Sequence, residues 1–421
     1  MNSWEQLALS AVEVVVTGIG LLSALGNLES TWQHLINGKS GIKQHQPFPD
    51  LPFRPLALMG QTVGSLEKLT QQVVADAIQD ADLPRSLPDC GVVIGSSRGC
   101  QAGWEQLTRR LGGRKYGDIE LRGHGQFKEK LSTSTHLPLS EFSSRSPRAK
   151  LENWLDTLPH CAAIAAARQV GSTGPVMAPM AACATGLWAI AQGMELIQMG
   201  RCQRVIVGAV EAPITPLTLA GFDKMGALAK TGAYPFDKER EGLVLGEGAA
   251  VLVLESAELV INRGAPVYGK LLGFGLTSDA YHVSAPDPDR RSAIAAVKQC
   301  LERSHLFPCD IDYIHAHGTA TQLNDQNEAE LIQRVFAQGV PVSSTKGATG
   351  HTLGASGALG AAFGLKALKH QLLPPCVGLR EPDFELDLIT TPRQGQIRQI
   401  LCFSFGFGGQ NAVLALAQKS T

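Results

Sequence analysis

Short β-branched runs alternate with longer helix-like stretches along the chain, and this alternation is the strongest constraint on the fold. The runs in the first half are Val14–Thr17, Val92–Ile94, Val205–Val207 and Ala250–Leu254. Glycine or charged residues bound these runs, which indicates buried strands. The stretches Leu66–Asp82 and Thr185–Met199 lie between them and have helical character. Strands that alternate with helices predict an α/β fold with largely buried sheets.

The second half of the chain repeats this alternation of predicted strands and helices. Its predicted strands are Ile311–Ile314, Gln399–Phe403 and Ala412–Ala415, and its predicted helix is Gly357–His370. A turn of small residues precedes an Ala-rich helix in each half, at Met180–Gly186 and at Lys346–His351. We therefore predict two halves of similar architecture, residues 1–258 and 259–421, which meet near Glu255–Arg263.

Composition argues against several classes of partner. The net charge is −1 over 421 residues, so nothing favours nucleic acid or an anionic membrane. Apolar runs such as Gly248–Leu254 are far shorter than the roughly 20 residues of a membrane helix. Met1–Ser10 holds no basic leader with an apolar core, so we expect no secretory signal. Nine scattered cysteines without a Cys-x-x-Cys pair indicate reduced thiols in a cytoplasmic protein.

Residues 109–150 differ from the rest of the chain. They contain ten Lys or Arg against four Asp or Glu, and few branched apolar residues. Such a segment is typical of a solvated surface insertion. The functional alternative is a docking surface for an acidic partner.

Cys183 stands out among the nine cysteines because of its position. It follows the apolar run Val176–Met180 and lies in the small-residue turn that opens the helix Thr185–Met199. The free N–H groups and partial positive charge of a helix N-terminus favour a thiolate and can hold a developing oxyanion. Taken alone, a cysteine among alanines is more often a buried core residue. The prediction of a nucleophile therefore depends on other segments.

Three segments of the second half complement such a nucleophile. They are His315–Thr321 after a predicted strand, the glycine-containing Ser343–His351, and Phe403–Gly409 at the end of another strand. Singly, each has a structural explanation: a capped histidine, a surface lysine or a packing phenylalanine. Together with Cys183 they provide a nucleophile, two imidazoles, a cation and a hinged aromatic flap.

These motifs resemble those of a known family. The segment Gly174-x4-Pro179-x2-Ala182-Cys183-Ala184-Thr185-Gly186-x3-Ile190 is similar to the active-site signature of β-ketoacyl synthases. Further matches, in the expected order, are His317–Thr321, Lys346 with Gly350–His351, and Gly406–Gly409. The resemblance spans roughly Glu13 to Ala417 and is closest to the elongating, dimeric β-ketoacyl-acyl-carrier-protein synthases (KAS II type).

The resemblance implies a thiolase-like fold, an α/β arrangement of two similar halves in five αβαβα layers, and a homodimer. It also implies the chemistry. Cys183 attacks an acyl thioester and carries the acyl group; a malonyl thioester then loses carbon dioxide, and the resulting carbanion attacks the acyl-cysteine. Matching positions assign His317 and His351 to stabilising the enolate, and Lys346 to orienting or polarising this pair. The product is a 3-oxoacyl-acyl-carrier protein in fatty-acid elongation.

The same resemblance assigns a gating loop and a substrate channel. The backbone N–H groups of the nucleophile and of Phe407 form the oxyanion hole, Phe407 is the gate, and Phe405 and Gly406 belong to the same loop. Thr319 and Thr321 match positions that contact the phosphopantetheine arm. Because acyl-carrier protein delivers both the acyl and the malonyl thioester, the resemblance implies no separate cofactor and no metal.

One position departs from the family pattern. The family usually has a glutamate nine residues after the second histidine, where this chain has Gly360. That glutamate helps to organise the site and a nearby monovalent cation. Asp325 and Glu328 remain and offer partial compensation. Because the 109–150 insertion falls where the family builds part of its acyl pocket, chain-length preference is not readable from the sequence.

Other functions fit single motifs. Gly95–Gly99 satisfies the Gly-x-Ser-x-Gly pattern of α/β-hydrolases, with Ser97 as nucleophile, but no clear helix is predicted directly after it. His315, His317 and His351 could bind zinc, although no carboxylate or paired cysteine accompanies them. Within the resembling family, the alternatives are a polyketide or specialised-lipid ketosynthase and a non-condensing partner that sets chain length or only decarboxylates. Retention of the Cys, His, Lys and His positions argues against the non-condensing partner.

Overall fold

Helices and strands alternate throughout the computed structural model, which describes residues 12–112 and 157–419. The strands are β1 (Val14–Ser23), β2 (Gly26–Asn27), β3 (Lys43–His45), β4 (Arg54–Leu56), β5 (Gly91–Gly95), β6 (Val176–Met177), β7 (Arg204–Glu211), β8 (Gly248–Ser256), β9 (Gly269–Ser278), β10 (Tyr313–His315), β11 (Pro341–Ser343), β12 (Leu372–Leu373), β13 (Asp387–Leu388), β14 (Arg393–Gln394), β15 (Gln399–Gly406) and β16 (Gln410–Ala417). The helices are α1 (Leu28–Ile36), α2 (Leu66–Asp80), α3 (Gln101–Gly112), α4 (Cys161–Val170), α5 (Thr185–Gln198), α6 (Pro216–Lys224), α7 (Ala257–Arg263), α8 (Arg291–Ser304), α9 (Gln322–Val335), α10 (Lys346–Thr349) and α11 (Ser356–His370). Two 3₁₀ helices span Pro308–Asp310 and Leu353–Ala355.

The predicted elements are confirmed with two differences. The strand predicted at Ile311–Ile314 is β10, which starts two residues later, because the Ile311 N–H bonds at 3.3 Å to the Pro308 carbonyl in the preceding 3₁₀ turn. The Asp312 carboxylate accepts N–H groups from Arg398 and Gln399 at 2.7 and 3.0 Å. The expectation of no helix directly after Gly99 was wrong, since α3 begins two residues beyond it. That helix continues to Gly112, so the basic segment 109–150 starts as helix, and its remainder lies outside the described residues.

Five strands of each half follow the same order in one 12-stranded sheet, which β2 and β13 complete. In the first half the neighbours run β1-β8-β7-β5-β6, and in the second β9-β16-β15-β10-β11. The two halves join where β1 pairs antiparallel with β9 through Val14–Val16. Chain connections also correspond, since α5 follows β6 and α11 follows β11. The small-residue turns before these two helices therefore occupy equivalent places, as their sequences predicted.

Helices cover the sheet in layers. α2 and α4 pack on the outer face of the first-half strands around Val73, Ala166 and Val251, and α8 packs on the outer face of the second half around Val297 and Val413. α5 and α11 lie between the two halves of the sheet and form the central core. This is the predicted five-layered αβαβα arrangement. The division into residues 1–258 and 259–421 stays a prediction.

Glycines bring the two central helices into close contact. A side chain at Gly186 of α5 would place its Cβ 2.6 Å from the backbone nitrogen of Ala358, and one at Gly357 of α11 would lie 2.8 Å from Leu187 Cγ. Atoms this close would clash, so only glycine permits the approach. Since one turn of the site precedes each helix, this contact sets the distance between the turns. Among the described helices, none has the length and apolar character to cross a membrane.

Candidate active site

The turn that carries Cys183 is held rigidly at the start of α5. Ala182 adopts the left-handed backbone conformation with φ of 47°. Thr185 Oγ1 accepts the Ala181 N–H at 2.9 Å and donates to the Ala182 carbonyl at 2.6 Å, which closes the turn. Ser404 Oγ, on β15 of the other half, donates to the Cys183 carbonyl at 2.9 Å. Cys183 is buried, and its sulfur faces the second half of the chain.

The environment of Cys183 keeps it protonated at rest. Burial raises the pKa of its thiol to about 11, and the buried carboxylate of Glu211 acts in the same direction. Lys346, Arg98 and the Phe407 N–H oppose this shift. A helix N-terminus contributes about 0.3–1 kcal/mol, which is less than the cost of burial. The helix N-terminus still favours the thiolate, but burial of the side chain outweighs it and the pKa of the thiol is raised.

His317 lies just beyond β10, in a turn fixed by carboxylates. Its backbone N–H donates to Glu328 Oε1 at 2.6 Å, and the Gly318 N–H donates to Glu328 Oε2 at 2.7 Å. Asp325 accepts the Thr319 N–H at 2.9 Å in the same way. Burial lowers the pKa of His317 well below its usual value, and Lys346 adds to this effect, so the imidazole is neutral. Asp325 and Glu328 thus shape the turn through the backbone.

Lys346 is buried against His317. Its Nζ donates to the His317 carbonyl oxygen and lies 3.4 Å from His317 Nδ1. Burial lowers the pKa of Lys346 to about 8, while Glu328, Cys183 and Asp325 partly offset the effect. The ammonium group of Lys346 can only donate, so Nδ1 of His317 is the acceptor of this contact. We therefore assign the proton of the neutral His317 ring to Nε2.

His351 follows α10 and has hydroxyl partners. Its Nδ1 lies 2.9 Å from Ser356 Oγ, which in turn lies 3.1 Å from Thr352 Oγ1. Burial lowers the pKa of His351 well below its usual value, so this ring is also neutral. With Thr352 donating to Ser356 and Ser356 donating to Nδ1, we assign the His351 proton to Nε2. Both imidazoles therefore present an N–H donor.

The predicted nucleophile and both histidines converge at one point. Ligand-type atoms of Cys183, His317 and His351 all lie within 4.8 Å of one another. The two rings are 5.4 Å apart between centroids and nearly perpendicular, at 81°. Two neutral N–H donors next to a sulfur can stabilise negative charge on an oxygen that is bound between them.

The predicted flap closes over the thiol. The Phe407 N–H is directed at Cys183, and the Phe407 ring stacks on Phe222 with centroids 6.0 Å apart. Phe405 contacts His317 edge-on with centroids 6.0 Å apart. A side chain at Gly406 would place its Cβ 2.8 Å from the Ala181 carbonyl oxygen. The flap can approach Cys183 only because position 406 is a glycine.

A cavity of about 270 Å³ leads from the surface to these groups. Cys183, His317, His351, Phe405, Gly406 and Phe407 line its inner part, and Thr319, Thr321 and Leu323 lie along it. The hydroxyls of Thr319 and Thr321 are 2.8 Å apart. Eight of the nine residues that the sequence assigned to the site thus line this cavity, and the ninth, Lys346, lies behind His317.

Comparison with known proteins identifies the family. The N-terminal domain model of β-ketoacyl synthases matches residues 61–259, and the C-terminal domain model matches residues 268–380. A 3-oxoacyl-[acyl-carrier-protein] synthase 2 from Staphylococcus aureus is 32% identical over 96% of this chain and 97% of its own length. A protein of the same name from Synechocystis sp. is 34% identical over 97% and 98%. The chain belongs to the β-ketoacyl synthase family.

Solved structures of the family agree with the fold. A type II polyketide ketosynthase, described in complex with its acyl-carrier protein and bound to the hexaketide, is 28% identical with a TM-score of 0.85. A β-ketoacyl synthase from Burkholderia phymatum is 27% identical with a TM-score of 0.81. Each similarity covers 97% of this chain and all of the other. These likenesses confirm the thiolase-like fold.

The structure does not bring together the groups that the two rival motifs require. Ser97 lies against the buried carboxylate of Glu211, which accepts its N–H, and among the described residues no hydrogen bond joins Ser97 Oγ to a histidine base. His315 turns away from the other histidines, and its Nε2 lies 3.2 Å from Thr345 Oγ1. The trio with spacing suited to a metal ion is instead Cys183, His317 and His351.

Sequence reasoning missed two groups beside the site. Glu211 is fully buried at the end of β7, and Ser356 orients His351. A carboxylate that ends an otherwise apolar strand was the available signal for Glu211. Ser356 lies five residues after His351 in a run of small residues, and only the three-dimensional path of the chain between them reveals the contact.

Proposed function

We propose that this chain condenses an acyl thioester with malonyl-acyl-carrier protein, with loss of carbon dioxide, to give a 3-oxoacyl-acyl-carrier protein in fatty-acid elongation. The observation that carries the proposal is the convergence of the Cys183 sulfur with two neutral imidazoles, His317 and His351, within 4.8 Å. The two relatives described above are named 3-oxoacyl-[acyl-carrier-protein] synthase 2, which supports the same reaction.

In the first half-reaction, the Cys183 sulfur bonds to the acyl carbonyl carbon, and the bond from that carbon to the pantetheine sulfur breaks. The proton of the Cys183 thiol ends on the departing pantetheine thiol. The N–H groups of Cys183 and Phe407 receive the negative charge that develops on the carbonyl oxygen. Because the thiol is protonated at rest, these donors act mainly on the developing charge.

In the second half-reaction, the malonyl carboxylate leaves as carbon dioxide and its bonding electrons form an enolate. The Nε2–H groups of His317 and His351 donate to the enolate oxygen, and Lys346 holds His317 in the donating tautomer. The carbanion carbon then bonds to the acyl carbon, and the bond between the acyl carbon and the Cys183 sulfur breaks. The released thiolate takes a proton from solvent, which restores the resting thiol. Thr319 and Thr321 along the cavity contact the phosphopantetheine arm. No cofactor beyond that arm takes part.

Substitution of the nucleophile tests the proposal. Cys183→Ala should abolish condensation, because no acyl group can be carried, whereas Cys183→Gln should leave malonyl decarboxylation intact or raised. Condensation is followed by mass spectrometry of the products from acyl-carrier and malonyl-carrier proteins, and decarboxylation by release of labelled carbon dioxide. Normal elongation by the Cys183→Ala protein would end the proposal. Metal analysis of the purified protein distinguishes it from a metal site built on the same trio.

A polyketide or specialised-lipid ketosynthase is the second candidate. The observation in its favour is the similarity to the polyketide ketosynthase bound to the hexaketide. Product lengths discriminate between the two, since a fatty-acid enzyme elongates saturated chains by one unit and a polyketide enzyme repeats condensation on unreduced chains. A non-condensing partner is disfavoured by the intact set of Cys183, His317, Lys346 and His351.

We further propose a homodimer that forms through β6. This strand lies at one edge of the large sheet. Val176 and Met177 on it are each 37% exposed, and the nearby Met180 is 53% exposed. An exposed apolar edge strand pairs readily with a second copy. Met177→Lys should shift the protein towards monomer in light scattering, whereas Met199→Lys, at an exposed methionine elsewhere, should not. A Met177→Lys dimer as stable as wild type would contradict this interface.

Acyl-carrier protein is the proposed partner, and the basic segment 109–150 is its proposed docking surface. Most of that segment lies outside the described residues, so the support is its charge. Neutralising Arg109, Arg110, Arg114 and Lys115 should raise KM for the carrier without changing kcat. An unchanged KM would mean that the segment is a solvated insertion and not a docking surface.

All nine cysteines are free thiols, which supports a reducing, cytoplasmic compartment.

A further inference from the structure

The ring of His315 occupies the space next to Gly360. A side chain at Gly360 on α11 would place its Cβ 2.8 Å from both Cε1 and Nδ1 of His315. The ring is buried between Tyr313 and Phe363, with centroid distances of 6.5 and 6.3 Å, so neighbours on both sides oppose its movement. The imidazole and the missing side chain are therefore complementary: either can be present, but not both.

The other edge of the ring connects to the turn that carries Lys346. His315 Nε2 lies 3.2 Å from Thr345 Oγ1. Thr345 begins that turn, since its carbonyl accepts the N–H groups of Ala348 and Thr349 at 2.9 and 3.0 Å. His315 thus links the end of β10 to the residue directly before the lysine.

The pairing of β10 with β11 and the bond from Ser344 Oγ to the Gly318 carbonyl, at 2.8 Å, join the two chain segments, and two further contacts lie at the Thr345–Lys346 step itself. One is the contact of His315 with Thr345, and the other is the contact of Lys346 with the carbonyl and Nδ1 of His317. Among the described residues no carboxylate forms an ion pair with Lys346; Glu328 instead accepts backbone N–H groups. The position of the lysine therefore depends on contacts with uncharged partners, which makes the one through His315 important.

We propose that His315 is a positioning residue for malonyl decarboxylation, and that Gly360 exists to accommodate it. The imidazole fixes the Thr345–Lys346 turn against His317. Burial lowers the pKa of His315 to about 3, so this connection is neutral. The inference rests on the proposed function, because it concerns one half of that reaction.

The first test removes the connection and keeps the ring. His315→Phe fills a similar volume but cannot bond to Thr345, and loss of one such bond should lower malonyl decarboxylation about three- to tenfold. Acyl transfer to Cys183, read from intact mass, should stay within about twofold, because Lys346 acts on that step only through its charge, which this variant keeps. Tyr313→Phe is the matched control. Tyr313 lies on β10 with His315, and the substitution removes its 2.7 Å bond to Ser343 on β11. Both half-reactions should stay unchanged.

The second test measures the coupling between positions 315 and 360. Gly360→Ala should displace the ring and lower decarboxylation at least about tenfold, by overpacking a buried site. His315→Asn in the same chain should restore part of that loss, since the smaller side chain makes room. The double variant should then be more active than the product of the two single effects predicts.

Each outcome decides the inference. Wild-type decarboxylation by His315→Phe, or purely multiplicative effects at positions 315 and 360, would overturn it. An equal loss of both half-reactions in His315→Phe would also overturn it, because that pattern marks a general structural role. Failure of the wild-type protein to release carbon dioxide from malonyl-carrier protein would instead overturn the proposed function, so the two failures are distinguishable.

Discussion

Glu211 is a buried carboxyl group, and the loss of its proton as pH rises should lower the stability of the folded protein. It lies at the end of β7, accepts the Ser97 N–H, and lies 3.2 Å from Ser96 Oγ. Burial raises the pKa of Glu211 from 4.5 to about 7, although its hydrogen bonds and Arg98 oppose the shift. The folded protein therefore binds a proton at Glu211 that the unfolded chain has already released.

The perturbation is Glu211→Gln, which keeps the shape and removes the titration. Since each tenfold difference in proton affinity corresponds to 1.36 kcal/mol, a pKa of about 7 rather than 4.5 costs the folded state about 3 kcal/mol once both states are ionised. A raised folded pKa means that the stability is present below pH 4.5 and is lost as pH rises through 7. The free energy of unfolding of wild type, minus that of Glu211→Gln, should fall by about 3 kcal/mol between pH 4.5 and pH 8.

Urea unfolding of both proteins at several pH values measures this difference, and the subtraction cancels other titrating groups such as Glu328. A difference that stays flat across this range would refute the reasoning. A second readout checks the same charge at the active site. Because Glu211 raises the pKa of Cys183, Glu211→Gln should lower that pKa and speed alkylation of the thiol by iodoacetamide above pH 8.

Three further predictions follow from the site. Ser356→Ala removes the partner of His351 Nδ1 and should lower malonyl decarboxylation about three- to tenfold, measured by carbon dioxide release; an unchanged rate would mean that the ring is oriented by other contacts. Lys346→Met removes the cation that lowers the pKa of Cys183, so the pH–rate profile for thiol alkylation should move to higher pH; an unmoved profile would contradict this. Gly357→Val should force α5 and α11 apart and destabilise the protein by about 1–3 kcal/mol, seen as a lower Tm, and an unchanged Tm would disprove the tight helix contact.

Much of the fold could be predicted because its signals are local. The runs that became β1, β5, β7 and β8 are rich in β-branched residues and bounded by glycine or charge, and each lies inside a strand. The start of β10 was missed, and so were the bonds of the Asp312 carboxylate just before it to Arg398 and Gln399, which are 86 and 87 residues away in the chain. No local pattern carries that information.

The candidate site divides in the same way. Cys183, His317, Lys346 and His351 were predicted from motifs, because each follows a strand or opens a helix in a recognisable run of small residues. Their protonation states were not predictable, since these depend on burial by the whole fold. The complementarity of His315 and Gly360 also escaped the sequence, in which the pair are simply 45 residues apart. Packing between distant segments decided both.

The protonated state of Cys183 changes how the surrounding groups should be understood. At a pKa of about 11, only about one thiol in 10⁴ is ionised at pH 7, so Lys346 and the Phe407 N–H do not serve to maintain a resting thiolate. Their charge and dipole become most effective when negative charge develops as the sulfur meets an acyl carbonyl in the dry site. A resting thiol is also less open to oxidation than a thiolate. The burial that suppresses the thiolate in the free enzyme therefore strengthens the same contacts during acyl transfer, because both effects arise from the exclusion of water.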